Sequence, residues 1–283
     1  MKIFIPTRGR ADNQRTRKAM YFDRPHPFDV TYIVPNRELE LWRPIKREED
    51  KQGKTIWFNA SGEKIVCVPD TMRSGDVRQW AMEQFAEEDN KQVHLDDDLL
   101  IARRMNEHST TLVPATQGDI LQLLKRVDEY LDTYVHGGIS NRFGNNHYEG
   151  LTKEVGRAMM FHFFDSNVVM AEGIRWDRLP CRIDFDFTLS LLELGYPNLV
   201  DYEFTCDGLP SNSPGGSSEY RTLEMLSKNA SDLKELHPDF VRVVPKYTKG
   251  AWGGDVVRDD VVIQWKKAFG SNADKRKLFR EDN

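Results

Sequence analysis

Four short apolar runs in the N-terminal third, separated by stretches of helical periodicity, constrain this chain more than any other feature. Residues 2–6, 30–35, 64–69 and 92–95 are strand-like; the first three close on a proline and the fourth runs into acids. Between them, residues 12–21 and 74–87 have amphipathic helical spacing. In the second, Ser74 is placed to cap the helix ahead of Val77, Trp80, Ala81 and Phe85. Strands and helices that alternate in this way predict an α/β fold of Rossmann-like type, a mostly parallel sheet flanked by helices. Ligands of such sheets lie beyond the carboxyl ends of the strands. The loops to search are therefore residues 7–10, the Pro35 region, 69–73 and 96–98.

Further along, residues 118–134 have the pattern of a long helix with Ile120, Leu123, Leu124, Val127 and Leu131 on one side. Residues 137–139 read as a strand end and 158–164 as a buried strand. Asp184-Phe185-Asp186-Phe187 opens a helix through Leu194, stopped by Gly195 and the Pro197-Asn198 turn. Residues 211–218 carry Pro, Gly and Ser in a loop signature, 223–236 are helical, and the last forty or so residues are short strands and a basic helix. No repeat or low-complexity linker interrupts the chain, which predicts one domain over residues 1–240 with a basic C-terminal extension, 241–283, packed on it.

The net charge of −5 excludes a protein that coats nucleic acid by bulk charge. Charge is nevertheless uneven: residues 1–24 hold seven Lys/Arg against two acids, and residues 242–283 hold ten against six, including Lys266-Lys267 and Lys275-Arg276-Lys277. These segments can track a phosphate backbone, with Trp252 or Trp265 for stacking; Lys266 and Lys267 are the candidate DNA contacts, and ordinary solvated termini are the plainer reading. No run approaches the roughly 18 apolar residues a membrane helix needs. With a start too short and too charged for a secretory signal, the expectation is a cytoplasmic protein with no membrane contact and no obligate protein partner. Cys67, Cys181 and Cys206 are too few and too widely spaced for a disulfide framework or a zinc site, and are expected to be reduced thiols.

The chemistry concentrates at Asp96-Asp97-Asp98, because a buried strand ending in three acids collects negative charge where the fold places ligands. Asp96 and Asp98 suit a hard divalent metal, Mn²⁺ or Mg²⁺, leaving most of its shell to water and a diphosphate; a solvated acidic turn is the bland alternative. Thr7-Arg8-Gly9-Arg10, after the first strand, offers a hydroxyl, two guanidinium groups and a permissive glycine, so Thr7, Arg8 and Arg10 are candidate nucleotide contacts, with Arg78 reaching from the helix after the third strand. Asp184 and Asp186 lie two apart at a helix start and need not share a face. Both are candidate catalytic acids, with Asp184 preferred as general base; the competing reading is that both serve the helix dipole. His94, His162 and His237 are possible third metal ligands, of which His237 is selected, although a lone histidine is more often a packed residue. Gly215-Gly216-Ser217-Ser218 lacks a phosphate-loop lysine and reads as a mobile loop that can border an acceptor.

Taken in order, Lys2-Ile3-Phe4-Ile5-Pro6-Thr7-Arg8-Gly9-Arg10, His94-Leu95-Asp96-Asp97-Asp98-Leu99, Asp184-Phe185-Asp186-Phe187 with Leu191-Leu192 and Gly195-Tyr196, Gly215-Gly216-Ser217 with Tyr220-Arg221, and Val262 to Ala268 resemble the TET-associated glycosyltransferases, GT-A enzymes of bacteriophages and related genomes. The resemblance spans nearly the whole chain. The acidic triplet is shared by many GT-A enzymes; the Tyr-Arg and Trp-Lys-Lys segments carry the narrower likeness. One departure is Ile183, where many GT-A enzymes have Glu-Asp before this helix. The resemblance implies a UDP-sugar donor and transfer to the hydroxymethyl group of 5-hydroxymethylcytosine in DNA. It implies that Thr7, Arg8, Arg10, Arg78 and Asp96 hold the donor, that Asp96 and Asp98 bind the metal, and that Asp184 deprotonates the acceptor with inversion. Reaching a base inside a duplex requires flipping it out, so a groove lined by basic C-terminal residues is expected. A protein or small-molecule acceptor, and a non-catalytic nucleotide- or metal-binding module, are the alternatives.

Overall fold

A computed structural model describes residues 1–20, 27–210, 212–249, 252, 254–272, 274, 276 and 277. Expectations that touch Tyr21, Arg24, Ser211, Lys275 and the last six residues lie outside the described residues. In chain order the elements are β1 (Lys2–Pro6), α1 (Arg15–Ala19), β2 (Asp29–Pro35), β3 (Pro44–Glu49), β4 (Thr55–Asn59), β5 (Lys64–Val68), α2 (Ser74–Phe85), β6 (Lys91–Leu95), β7 (Leu100–Arg104) and β8 (Leu112–Pro114). There follow α3 (Gln117–Tyr130), β9 (His136–Asn141), α4 (Arg142–Asn145), β10 (Thr152–Glu154), β11 (Phe161–Asp165), α5 (Ser166–Ala171), α6 (Ile183–Glu193), β12 (Asn198–Asp207), α7 (Leu223–Leu236), β13 (Val241–Thr248), β14 (Val256–Ile263) and α8 (Trp265–Gly270).

Among the described residues, twelve strands form one sheet in the order β3-β4-β5-β2-β1-β6-β11-β9-β12-β7-β8, with β10 against β12. The α/β class holds, but the sheet is mixed rather than mostly parallel. β5-β2-β1-β6 run parallel, as do β9 and β12, while the flanks and β11 are antiparallel. The cause is connection length: β3 to β4 and β4 to β5 are joined by short turns, which return the chain antiparallel, whereas β5 to β6 has a helix for its crossover.

β1 reads as a continuous apolar run because it is buried on both faces. Ile3 and Ile5 join Tyr32, Val34, Val93 and Leu95 in a core completed by Leu123, Leu124 and Val127 of α3. Phe4 points the other way, with Ile33, Val66 and Val68, onto Val77, Ala81 and Phe85 of α2. The start of α2 differs slightly from expectation: Arg73 takes the cap position, its backbone N–H donating to Asp76 Oδ2 at 2.8 Å, and Ser74 becomes the first helical residue. Expected as residues 12–21, α1 is a single short turn. α3 is capped by Thr116, whose hydroxyl accepts from the Asp119 backbone N–H at 3.2 Å. The β13–β14 hairpin and α8 pack on α6 through Leu189, Leu192, Val241 and Ala268. None of the described helices is long and apolar enough to cross a membrane.

Candidate functional site

β1 lies between β2 and β6, so the sheet order reverses there and the carboxyl ends of β1 and β6 open one crevice. The register pairs Phe4 with His94; continued past the strand ends, it brings Thr7 beside Asp97. A cleft of about 370 Å³ sits at this point. Thr7, Arg8, Arg10, Arg78, Asp96, Asp98 and Asp184 all line it, together with Arg73, His162, Trp176, Gly215 and Arg221.

The three acids have different tasks. Asp97 is buried and ties the loop after β1 in place: it accepts from Thr7 Oγ1 at 2.8 Å and from Arg10 Nη1. Asp98 Oδ2 accepts the Leu209 backbone N–H at 3.3 Å and lies 3.2 Å from Arg10 Nη1. Asp96 pairs with Arg78 Nη2 but keeps its side chain 39% exposed to the cleft. Partial desolvation at the cleft floor, reinforced by Asp98, Asp97 and Asp184, pushes the Asp96 carboxyl up to about 7 against the pull of Arg78. Such a pile of negative charge favours a cation.

The arginines divide likewise. Arg10 is consumed internally, bonding Asp97 and the carbonyls of Pro214 at 3.0 Å and Gly215 at 3.1 Å, and so fastens the Gly215-Gly216 loop to the acids. The loop is thus held as part of the cleft wall, with Gly216 N–H donating to Arg8 O at 2.8 Å. Gly215 has φ +85°, and a Cβ there would stand 2.7 Å from Arg10 Cγ. Arg8 instead donates to the neutral carbonyls of Asp70 at 2.8 Å and Met72 at 2.6 Å, which leaves its charge for a ligand. Arg221, unassigned by sequence reasoning, donates to Asn212 Oδ1 at 3.1 Å and has a buried Nε without a partner.

α6 separates its two acids. Residues two apart on a helix lie about 200° around the axis. Asp184 lines the cleft, its carboxyl raised by burial and held back by Arg157 and by the amides of its own helix start. Asp186 is buried on the far side, where Arg178 Nε donates to Oδ2 at 2.9 Å and His237 Nε2 lies 2.8 Å from Oδ1. His237 Nδ1 is in turn engaged by Glu193 Oε1. Selecting Asp186 as a catalytic group and His237 as a metal ligand is therefore corrected: neither lines the cleft, and both imidazole nitrogens are committed to carboxylates. His162 lines the cleft, while His94 is enclosed beneath it.

Lys266 and Lys267 are exposed on α8, and Lys267 Nζ donates to Asp239 O at 3.1 Å. Neither lines the cleft. Trp265 packs edge-on against Phe185 at 5.6 Å, so its ring is committed to the core rather than to stacking. Cys67, Cys181 and Cys206 are free, and burial pushes the Cys181 thiol in the cleft wall upward, away from a thiolate nucleophile.

The donor set fits a hard cation held by two carboxylates, since Asp96 and Asp98 extend from one strand end and offer oxygen only. No group of three His, Cys, Asp or Glu among the described residues forms a closed metal site. The remaining ligands would come from water and a bound anion.

No protein-family model matches the sequence, and no curated protein matches it. Among solved structures the chain is similar to S. aureus TarS 1–349, with 12% identity over 82% of this chain and 65% of that one, and a TM-score of 0.45. The chain thus spans less than two thirds of that structure's length.

Proposed function

We propose that this chain is a glycosyltransferase that moves a sugar from a nucleoside-diphosphate donor to a hydroxyl acceptor. The observation that carries the reading is convergence: the β6-end carboxylates, the arginine loop after β1 and Asp184 at the start of α6 all face one cleft. Arg8 and Arg221 present guanidinium N–H groups to a phosphate or ribose. Arg10 and Asp97 hold the loop carrying Arg8 in register, so the anion meets a prearranged cradle.

Asp184 takes the proton from the acceptor hydroxyl. The hydroxyl oxygen forms its bond to the anomeric carbon as the bond from that carbon to the diphosphate oxygen breaks, and the electron pair leaves with the diphosphate. Attack opposite the leaving group gives inversion. Asp96 and Asp98 would hold Mn²⁺ or Mg²⁺, which supplies positive charge against the leaving diphosphate.

The resemblance in sequence extends the proposal to a UDP-sugar donor and to 5-hydroxymethylcytosine in DNA as acceptor, with Lys266 and Lys267 on exposed α8 as phosphate contacts. Nucleoside mass spectrometry of hydroxymethylated DNA incubated with the protein, Mn²⁺ and UDP-sugars tests this acceptor. The expected result is a sugar mass on the hydroxymethylated base alone; donor turnover with that base left unmodified would contradict the DNA acceptor.

A further inference from the structure

Three polar atoms at the inner wall of the cleft have no partner: Arg78 Nη1, His162 Nε2 and Trp176 Nε1 are all buried and unpaired. Their residues all line the cleft and are 3%, 3% and 1% exposed. A buried polar group without a partner is costly, and three gathered at one wall need an explanation that a single packing defect does not supply.

The groups are held firmly. The Trp176 ring stacks on Phe187 at 3.7 Å and 11°, and its backbone N–H donates to Gln79 Oε1 at 2.9 Å. The His162 ring meets Trp176 edge-on at 5.3 Å, and the Arg78 guanidinium lies 5.6 Å from the Trp176 ring centre. His162 sits opposite His94 across β11 and β6, the strand that leads into Asp96. Burial, Arg78 and His136 hold the His162 imidazole well below its ordinary value, so it is neutral, with one N–H and one lone pair. Arg78 links this wall to the acids: Nη2 bonds Asp96 while Nη1 is free.

We propose that Arg78, His162 and Trp176 form the subsite that reads the sugar of the donor, and that this sugar is a neutral polyhydroxylated ring. The inference rests on the cleft being a nucleotide-sugar site. Two fixed N–H donors and a neutral imidazole beside an indole match hydroxyl oxygens around the rim of a pyranose or furanose. The position, next to Asp96 through Arg78, is where a sugar attached to the diphosphate would lie. Arg78 is already paired with Asp96, and neither the His162 imidazole nor the Trp176 indole carries a charge for a carboxylate, which disfavours a ring carrying one.

The test is calorimetric titration of the folded protein, in Mg²⁺ or Mn²⁺, with UDP and GDP and with UDP-glucose, UDP-galactose, GDP-mannose and UDP-glucuronate. The wild type, His162→Gln and Trp176→Phe are compared, with thermal melts run alongside; Trp176→Phe keeps an aromatic ring while removing the N–H. For the preferred base, each variant is expected to retain the nucleoside diphosphate affinity within about twofold while losing about tenfold for the neutral sugar nucleotide. UDP-glucuronate should bind the wild type no better than UDP. Equal losses for diphosphate and sugar nucleotide, or no loss for either, would overturn the subsite and leave the donor site standing. Failure of the wild type to bind any of these nucleotides would overturn the donor site and the subsite together.

Discussion

Thr7 and Asp97 meet just past the ends of two adjacent parallel strands, the threonine hydroxyl donating to the carboxylate at 2.8 Å. Through Arg10 the same carboxylate also holds the Gly215 loop, so one buried acid joins three segments of the cleft. Asp97→Ala leaves the Arg10 charge without its closest partner and is expected to cost about 3 kcal/mol. Asp97→Asn, which keeps an acceptor for Thr7, should cost less. Urea denaturation of the two variants checks this, and a change in the alanine variant below about 0.5 kcal/mol, the scale of an ordinary surface substitution, would contradict the clamp.

Gly215 tests the close approach of that loop. With φ +85° and an added Cβ falling 2.9 Å from Arg8 O, Gly215→Ala strains the backbone against atoms that cannot rotate away. The expected loss is about 1–3 kcal/mol, with weaker nucleotide binding because the Arg8 loop shifts. Thermal melts and nucleotide titration on one preparation report both effects.

Asp184 and Asp186 separate catalysis from structure. Asp184→Asn is expected to lower turnover about 10²- to 10⁴-fold, with donor affinity and melting temperature near the wild-type values. Asp186→Asn should act mainly on stability, since it weakens the bonds to Arg178 and His237. Single-turnover rates, donor titrations and melts of both variants distinguish the two roles, and a swap of the phenotypes would reverse the assignment.

His237 gives a pH dependence. Burial alone disfavours its charged form, but hydrogen bonds to Asp186 and Glu193 outweigh that and raise the group above its ordinary 6.5. A raised folded value means that the stabilisation is fully present below 6.5 and is lost as pH rises through the folded value. The stability of the wild type should therefore fall above pH 6.5 by more than that of His237→Gln. Urea unfolding across a pH series from mildly acidic to mildly alkaline measures the difference; parallel slopes would remove His237 from the account.

The parallel centre of the sheet and the main cleft acids were legible because β1, β2 and β5 are written as apolar runs, and β6, despite Gln92 and His94, keeps Val93 and Leu95 ahead of its acids. Their ends are then marked by Pro6 and by Asp96 to Asp98. β3 was not legible: Ile45 is 72% exposed and the four residues from Lys46 to Glu49 are all charged, so no alternation marks it. Asp186 looked like Asp184 in sequence because only the helix phase, and the distant Arg178 and His237, decide which of the two is enclosed. Trp176 left no signal, since its role depends on being brought beside His162 and Arg78 from a separate part of the chain. Arg10 was legible as a cleft residue but not as a clamp, because the carbonyls it holds, those of Pro214 and Gly215, come from a loop far along the chain.

Release of UDP from UDP-hexoses, followed with Mn²⁺ and a hydroxyl acceptor for the wild type and for Asp98→Asn, should show catalytic release in the wild type. The variant should lose nearly all of it while keeping its melting temperature. Undiminished release from Asp98→Asn, or binding of sugar nucleotides by the wild type without any release or transfer across donors and acceptors, would contradict a glycosyltransferase built on this cleft.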